Sequence, residues 1–257
     1  MVWSSFRTGF IAFTAVLATA TLALPQKASA FDDAEKAEIG QIIHDYLLAN
    51  PEVMVEVQNA LEQQREAKRV AAQRETLKDN HDEIYSTKDQ IEIGNPDAKV
   101  TVVEFFDYNC GFCHRALSDM NRLVKENDNL RFILREFPIL SPQSLEAHKI
   151  SIAFSNMMPD KAAEFHRALL GADGRKDGEM ALDLGVSLGA DREKLKAASE
   201  APEVMAAIRE SHKLADGLGI TGTPSYVIGD EVVFGAVGFD NLADRIAQLG
   251  SCGKVNC

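Results

Sequence analysis

Residues Val100–His114, V-T-V-V-E-F-F-D-Y-N-C-G-F-C-H, constrain the fold more than any other stretch: a near-continuous apolar run closed by Cys110-Gly111-Phe112-Cys113. Such a run suits a strand buried on both faces, in a sheet that helices cover on either side. Two cysteines at this spacing, at the end of a strand and the start of a helix, can form a disulfide and expose one sulfur as a nucleophile. The pattern that follows predicts a helix over Phe112–Glu126. Its unpaired first N–H groups and positive dipole end would face Cys110 and draw that thiol below the free value of ~8.5. Cys113, one turn further in and less exposed, is then the resolving thiol. Two other readings use the same residues: an inert structural disulfide, or C-x-x-C-H attachment of a haem, with Met157, Met158 or His148 as a second axial ligand.

Residues 1–30 combine an early positive charge at Arg7, an apolar core over Phe10–Leu24 and Ala28-Ser29-Ala30, the pattern of a cleaved signal peptide. The apolar run falls short of the ~20 residues that a membrane span needs. This segment holds two of the 27 basic residues and none of the 39 acidic ones, so the rest of the chain carries a net charge of −14. Nucleic acid is an unsuitable partner for such a chain. All four cysteines, Cys110, Cys113, Cys252 and Cys257, fall in the exported part, where disulfides persist. The chain is far longer than the ~70–80 residues below which a domain needs disulfide staples, so reactivity is the better reason for the first pair.

In chain order, Asp32 or Asp33 can cap a helix that carries Ile39, Ile42, Ile43, Tyr46 and Leu47 on one face. Asn50-Pro51 restarts it, with Asn50 as N-cap of a second helix reaching about Lys78. Beyond Leu61 the apolar stripe thins among Gln, Arg, Glu and Lys, as in an arm rather than a core helix. Ile39, Ile43, Leu47, Val57 and Leu61 could bury against copies of the chain, and a charged connecting helix or a cap on its own domain is the other reading. A compact α/β region begins near residue 85, with strands at Gln90–Ile93, Val100–Phe106 and Leu130–Phe137. A helical block over about 141–218 separates these from strands at Ser225–Ile228 and Glu231–Phe234. Asp240 is placed to cap a last helix reaching Leu249.

This order, with F-F-D-Y-x-C-G-F-C, a strand ending F-P, and Gly222-Thr223-Pro224 opening a later strand, resembles the DsbA-like family of periplasmic thiol–disulfide oxidoreductases over about residues 85–250. The resemblance implies a thioredoxin fold with a helical insertion, preceded by an N-terminal α-helical extension. The expected division is a signal peptide at 1–30, a helical oligomerisation region at 31–84 and a catalytic domain at 85–257. Thr223-Pro224 matches the family's cis-proline pair beside the active-site sulfur, where exposed backbone groups can pair with an extended substrate. An ordinary turn proline is the plain alternative. Phe112, between the cysteines, joins Thr223 and Pro224 as a substrate-facing residue. Glu104, six residues before Cys110, matches a buried acid that would have a raised pKa and carry the proton of the resolving thiol.

The Gly-Phe pair between the cysteines differs from the Pro-His of the strong oxidase. It is closer to the Gly-Tyr of disulfide isomerases and of the suppressor-of-copper-sensitivity C (ScsC-like) proteins, whose N-terminal extension can trimerise and is similar to residues 32–80. The resemblance therefore implies a periplasmic disulfide isomerase or reductase acting on misfolded or reduced exported proteins. Its membrane partner would be a DsbD-like reductase, or a DsbB-like oxidase if the chain is a dithiol oxidase, and it would form a homo-oligomer such as a trimer. No cofactor and no metal site is expected, since the His and Met residues show no tight ligand spacing. Cys252 and Cys257 enclose four residues after the last helix and can close as a structural disulfide, with a secondary redox or metal-handling pair as the other reading. A secreted binding module with an idle disulfide is the alternative of another class.

Overall fold

The computed structural model describes residues 31–253 and 255; the expected signal segment 1–30 and Cys257 lie outside the described residues. The chain divides into two compact units, Met1–Ala60 and Leu61–Cys257. In the first, helix α1 (Asp33–Ala49) opens on a reciprocal cap. The Asp32 carboxylate accepts the N–H groups of Ala34 and Glu35, and Glu35 accepts the Asp32 N–H at 2.8 Å. Asn50 does not cap the next helix, α2 (Glu52–Asp79). Its side-chain amide and its backbone N–H both donate to the Tyr46 carbonyl, at 2.8 and 2.9 Å. Helix α2 begins at Glu52, so Asn50 stands as the C-cap of α1, where an unpaired carbonyl takes both of its donors. No residue of α1 is buried, and Ile42, Ile43, Tyr46, Met54 and Val57 stand exposed.

The second unit is built on a five-stranded sheet of order β1-β3-β2-β4-β5: β1 (Ile91–Gly94), β2 (Val100–Phe106), β3 (Leu130–Glu136), β4 (Ser225–Ile228) and β5 (Glu231–Phe234). Only β2 and β3 run parallel. A short helix, α3 (His81–Ile84), precedes β1, and α4 (Gly111–Glu126) is the crossover between the parallel strands. Five helices fill the insertion between β3 and β4: α5 (Pro142–Met157), α6 (Pro159–Gly171), α7 (Gly178–Ser187), α8 (Arg192–Ser199) and α9 (Pro202–Gly217). Helix α10 (Phe239–Cys252) closes the unit.

Alternation along the central strands assigns side chains to two cores. Val102 and Phe106 of β2, with Phe132 and Leu134 of β3, join Met120 and Leu123 of α4, Leu242 and Ile246 of α10, and the apolar faces of α5 and α6. Val103, Phe105 and Ile133 face the other way, against Ile84, Leu214, Ala215 and Leu218. Glu104 shares the parity of Val102 and Phe106, so its carboxyl is carried to the face that α4 covers.

Two sequence expectations need correction here. The end of α2 is not a free arm: Leu77 is buried in the second core, and Gln73 and Thr76 donate to the carbonyls of Leu218 and Gly217 at 2.8 and 3.0 Å. The second compact unit begins at Leu61, and Gln73 and Thr76 satisfy carbonyls at the C-terminal end of α9 beside the buried Leu77. Asp240 lies inside the first turn of α10 and makes no cap; the cap position falls on Gly238, at φ 85°, a conformation that suits glycine.

Arg135, on β3, is wholly buried. It gathers the carbonyls of Glu83, Ile84 (3.0 Å) and Ser86 (3.4 Å) and pairs with Glu210 at 3.0 Å. This one cation ties α3 to the sheet and to α9. Methionine, of similar length but without donors, would orphan those carbonyls. Arg135→Met is expected to cost about 3 kcal/mol in urea unfolding; a loss below about 1 kcal/mol would mean that the carbonyls find other donors.

Candidate active site

β2 ends at Phe106, and a tight turn carries the chain to Cys110, the N-cap of α4. Asp107 builds that turn. Its Oδ1 accepts the Asn109 N–H at 2.8 Å, its carbonyl accepts the Cys110 N–H at 3.0 Å, and its Oδ2 accepts the N–H groups of Ile139 and Leu140 at 2.9 and 3.0 Å. This is the local bonding for which a short acidic side chain is suited, and F-F-D-Y carries its signal in the sequence. The sequence reading passed over Asp107.

As N-cap, Cys110 presents its sulfur to the Cys113 N–H at 3.4 Å. Its own S–H points at the Thr223 carbonyl, 3.2 Å away. Thr223 arrives there through strand register: β2 and β4 pair antiparallel with Phe105 opposite Ser225, so the residues beyond each, on the Cys110 side, meet across the sheet end. The Thr223–Pro224 bond is cis. Cys110 and Cys113 are both free thiols, 6% and 0% exposed. Phe112 stands out from the surface at 57% exposure, with the Arg115 guanidinium 4.3 Å above its ring. Cys110, Cys113, Phe112, Thr223, Pro224 and Glu104 thus occupy one end of the sheet.

The electrostatics separate the two sulfurs. A hydrogen bond from the Cys113 side chain draws Cys110 down to about 5, against its burial, aided by the Thr223 hydroxyl and the N–H groups of Cys113 and Phe112. The Thr223 Oγ1 is buried and has no hydrogen-bond partner, so its proton is free to turn to the sulfur. Cys113 moves the opposite way: burial first, then the bond to Cys110 and the charge of Glu104, push it far above the thiol range. Glu104 is raised to about 8, by burial and by the negative charge of Cys110. A thiolate at Cys110, a thiol at Cys113 and a carboxyl that titrates near neutrality are the parts of stepwise thiol–disulfide exchange.

Residues that sequence reasoning missed surround this group. Tyr226 lies directly across from Glu104 in the β2–β4 register and is itself buried. Burial first, then the charge of Glu104, push its phenol far up. Nothing in the local sequence marks it, since its neighbour is chosen by strand pairing. At the other end of the chain, Cys252 is disulfide-bonded, and Cys257, its expected partner, lies outside the described residues.

A mixed sheet with its crossover helix starting at a C-x-x-C pair, facing a cis-proline, defines a thioredoxin-fold thiol–disulfide oxidoreductase. The chain belongs to the DsbA-like family: residues 101–247 match the DSBA-like thioredoxin domain. The Cys110-Gly111-Phe112-Cys113 sequence lies inside the matched domain. Residues 35–68 match the copper resistance protein ScsC N-terminal domain. A thioredoxin-like oxidoreductase from Silicibacter pomeroyi DSS-3 is 38% identical, with a TM-score of 0.64 over 67% of this chain and 99% of that one. A linker-deleted variant of Proteus mirabilis ScsC is 25% identical, with a TM-score of 0.65 over 86% of this chain and 98% of that one. The curated relative Na+/H+ antiporter NhaA 1 of a Mycobacterium species is 26% identical over 140 residues, 52% of this chain and 22% of the antiporter. The chain thus spans about a fifth of that relative's length, and among the described residues no helix is long and apolar enough to cross a membrane.

Two measurements follow from this geometry. Alkylation of Cys110 in the reduced protein should titrate with a midpoint near 5 while Cys113 stays unreactive up to pH 9; a midpoint in the ordinary thiol range of ~8.5 would contradict the hydrogen bonding described. Glu104 keeps its proton in the fold between its ordinary value of 4.5 and about 8. The unfolded chain releases that proton, so this group lowers stability as pH rises through the window. Cys110, with its lowered value, works in the opposite direction and is common to both proteins. Glu104→Gln is expected to gain a few kcal/mol over the wild type at pH 9 relative to pH 4, at about 1.4 kcal/mol per pKa unit. Parallel pH–stability curves for the two proteins would refute it.

Proposed function

We propose that this protein is a periplasmic disulfide isomerase and reductase that acts on misfolded exported proteins. The observation that carries the reading is the Cys110 sulfur, drawn to about 5 at the N-terminus of α4 and set against the Thr223 carbonyl. A stabilised thiolate favours the dithiol that an isomerase must present; it equally strengthens a dithiol oxidase, so the isomerase direction is taken from the residues between the cysteines and from the N-terminal extension. The match of residues 35–68 to the ScsC N-terminal domain and the Gly-Phe pair between the cysteines support the same direction. The signal-like residues 1–30 support export.

In the first step the Cys110 thiolate attacks a substrate disulfide, forming a Cys110–substrate bond as the second substrate sulfur leaves as a thiolate. The substrate segment lies beside Thr223-Pro224, with Phe112 against its side chains. Isomerisation follows when the freed substrate thiolate attacks another substrate disulfide and the last substrate thiolate displaces Cys110. In the reductive branch Glu104 takes the Cys113 proton, and Cys113 attacks Cys110 and expels the substrate thiolate. The Cys110–Cys113 disulfide left behind needs a membrane reductase of the DsbD type. The apolar face of α1 and α2, exposed at Ile43, Tyr46 and Val57, joins copies of the chain and holds several sites around one misfolded polypeptide.

Reactivation of scrambled ribonuclease, set beside oxidation of reduced ribonuclease, tests the reading. The protein should speed reactivation several-fold over the redox buffer alone. A double variant Ile43→Glu, Val57→Glu should sediment as a monomer, lose that activity and keep simple disulfide reduction. Rapid oxidation of reduced ribonuclease with no reactivation of the scrambled form would replace this reading with that of a dithiol oxidase recharged by a DsbB-like partner.

A further inference from the structure

Behind the active-site turn lies a buried polar network that the exchange steps above do not use. Glu136, the last residue of β3, is 1% exposed and receives two donors: Ser151 Oγ at 2.6 Å and His148 Nδ1 in a close contact. His148, fully buried on α5, offers its other nitrogen, Nε2, to the backbone N–H of Tyr108 at 3.2 Å. The Tyr108 hydroxyl reaches Ser151 Oγ at 2.8 Å and His166 Nδ1 at 3.4 Å.

Donor and acceptor capacity gives this network one direction. A backbone N–H only donates, so Nε2 must accept from Tyr108, which leaves the His148 proton on Nδ1, facing Glu136. The proton of Ser151 is also spent on Glu136, so the Tyr108 hydroxyl donates to Ser151 and accepts from His166 Nδ1–H. Each donor and acceptor named here then has a partner, as buried groups require. The Phe106 ring centroid lies 5.1 Å from that of His148, and Asp107 Oδ1, 4.0 Å from Nε2, is already committed to the Asn109 N–H.

The bond at Tyr108 matters because of where that peptide sits. The Asn109 and Cys110 N–H groups are satisfied inside the turn, by the side chain and carbonyl of Asp107. The Asp107 backbone also supports the Cys113 sulfur. Tyr108 is the residue of this turn whose N–H is held by a side chain of the helical insertion.

We propose that His148, locked as its Nδ1–H tautomer by Glu136, is a positioning residue for thiol–disulfide exchange: it fixes the Tyr108 peptide and thereby the turn that presents the Cys110 and Cys113 sulfurs. The inference rests on Cys110 as the nucleophile. It assigns the insertion a part in the chemistry through α5, in addition to covering the sheet.

The test compares His148→Phe, which keeps an aromatic ring and removes both nitrogens, with His148→Gln, whose Oε1 can reach the Tyr108 N–H. The readouts are the pH profile of Cys110 alkylation and the glutathione equilibrium of the Cys110–Cys113 pair. In His148→Phe the alkylation midpoint should rise by about one unit, seen as roughly tenfold slower alkylation at pH 4.5, and His148→Gln should restore most of it. A purely structural role would lower the melting temperature and leave the midpoint unmoved. A folded His148→Phe protein with the wild-type profile overturns the proposal. If that variant does not fold, nitrogen NMR of the wild type decides: the Nδ1–H tautomer with an exchange-protected Tyr108 amide supports it, and an Nε2–H tautomer overturns it. Failure of the underlying reading looks different, since wild-type Cys110 would then titrate as an ordinary thiol whatever the variants do.

Discussion

The pairing register of β2 with β4 is the constraint on which the site depends. With Phe105 opposite Ser225, Thr223 meets Cys110 across the sheet end, although 113 residues separate them in the chain. The same register places Tyr226 against Glu104. A slip of one residue would turn Glu104 to the opposite core, away from α4, and move the Thr223 carbonyl off the sulfur. Apolar burial guards against that slip, because Val102 and Phe106 fill one core while Val103 and Phe105 fill the other.

On that frame the chemistry follows from unequal environments for like groups. Cys110 sits where a helix begins and donors converge, and Cys113 sits one turn inside, without exposure. The hydrogen bond between them draws the first thiol down and pushes the second up. Glu104 responds to the charge on Cys110 as well as to burial. The three groups therefore exchange protons as one coupled unit, and ionising any of them alters what the others can hold.

The helical insertion is bonded to this unit rather than appended to it. Asp107 accepts from Ile139 and Leu140 in the segment that leads into α5, and Asn109 is held by the backbone of Lys176 at 2.8 Å in both directions. Arg135 and Gln73 do comparable work on the other side of the sheet, where they bind α3 and the end of α2 to the compact unit. Backbone groups outside the regular ladders need partners, and in each case a side chain from a distant part of the chain supplies one.

The C-x-x-C pair at a strand-to-helix junction, the buried period of Val100–Phe106 and the Thr-Pro before a strand were legible in sequence, because each depends on neighbours a few residues away. Local reading erred at Asn50 and the end of α2, where a polar side chain had two chemically equal tasks within reach, and at Asp240, because the helix begins earlier, directly after Gly238. Tyr226, Arg135 and the His148–Glu136 pair left no local signal, since their partners are separated from them in the chain and selected by sheet register and helix docking. The sequence by itself determined the C-x-x-C pair, its helix and the family. Only the tertiary structure decided which carbonyl faces that sulfur, how far the two thiols differ and which side chains hold the turn, because those depend on distances through space that chain order does not contain.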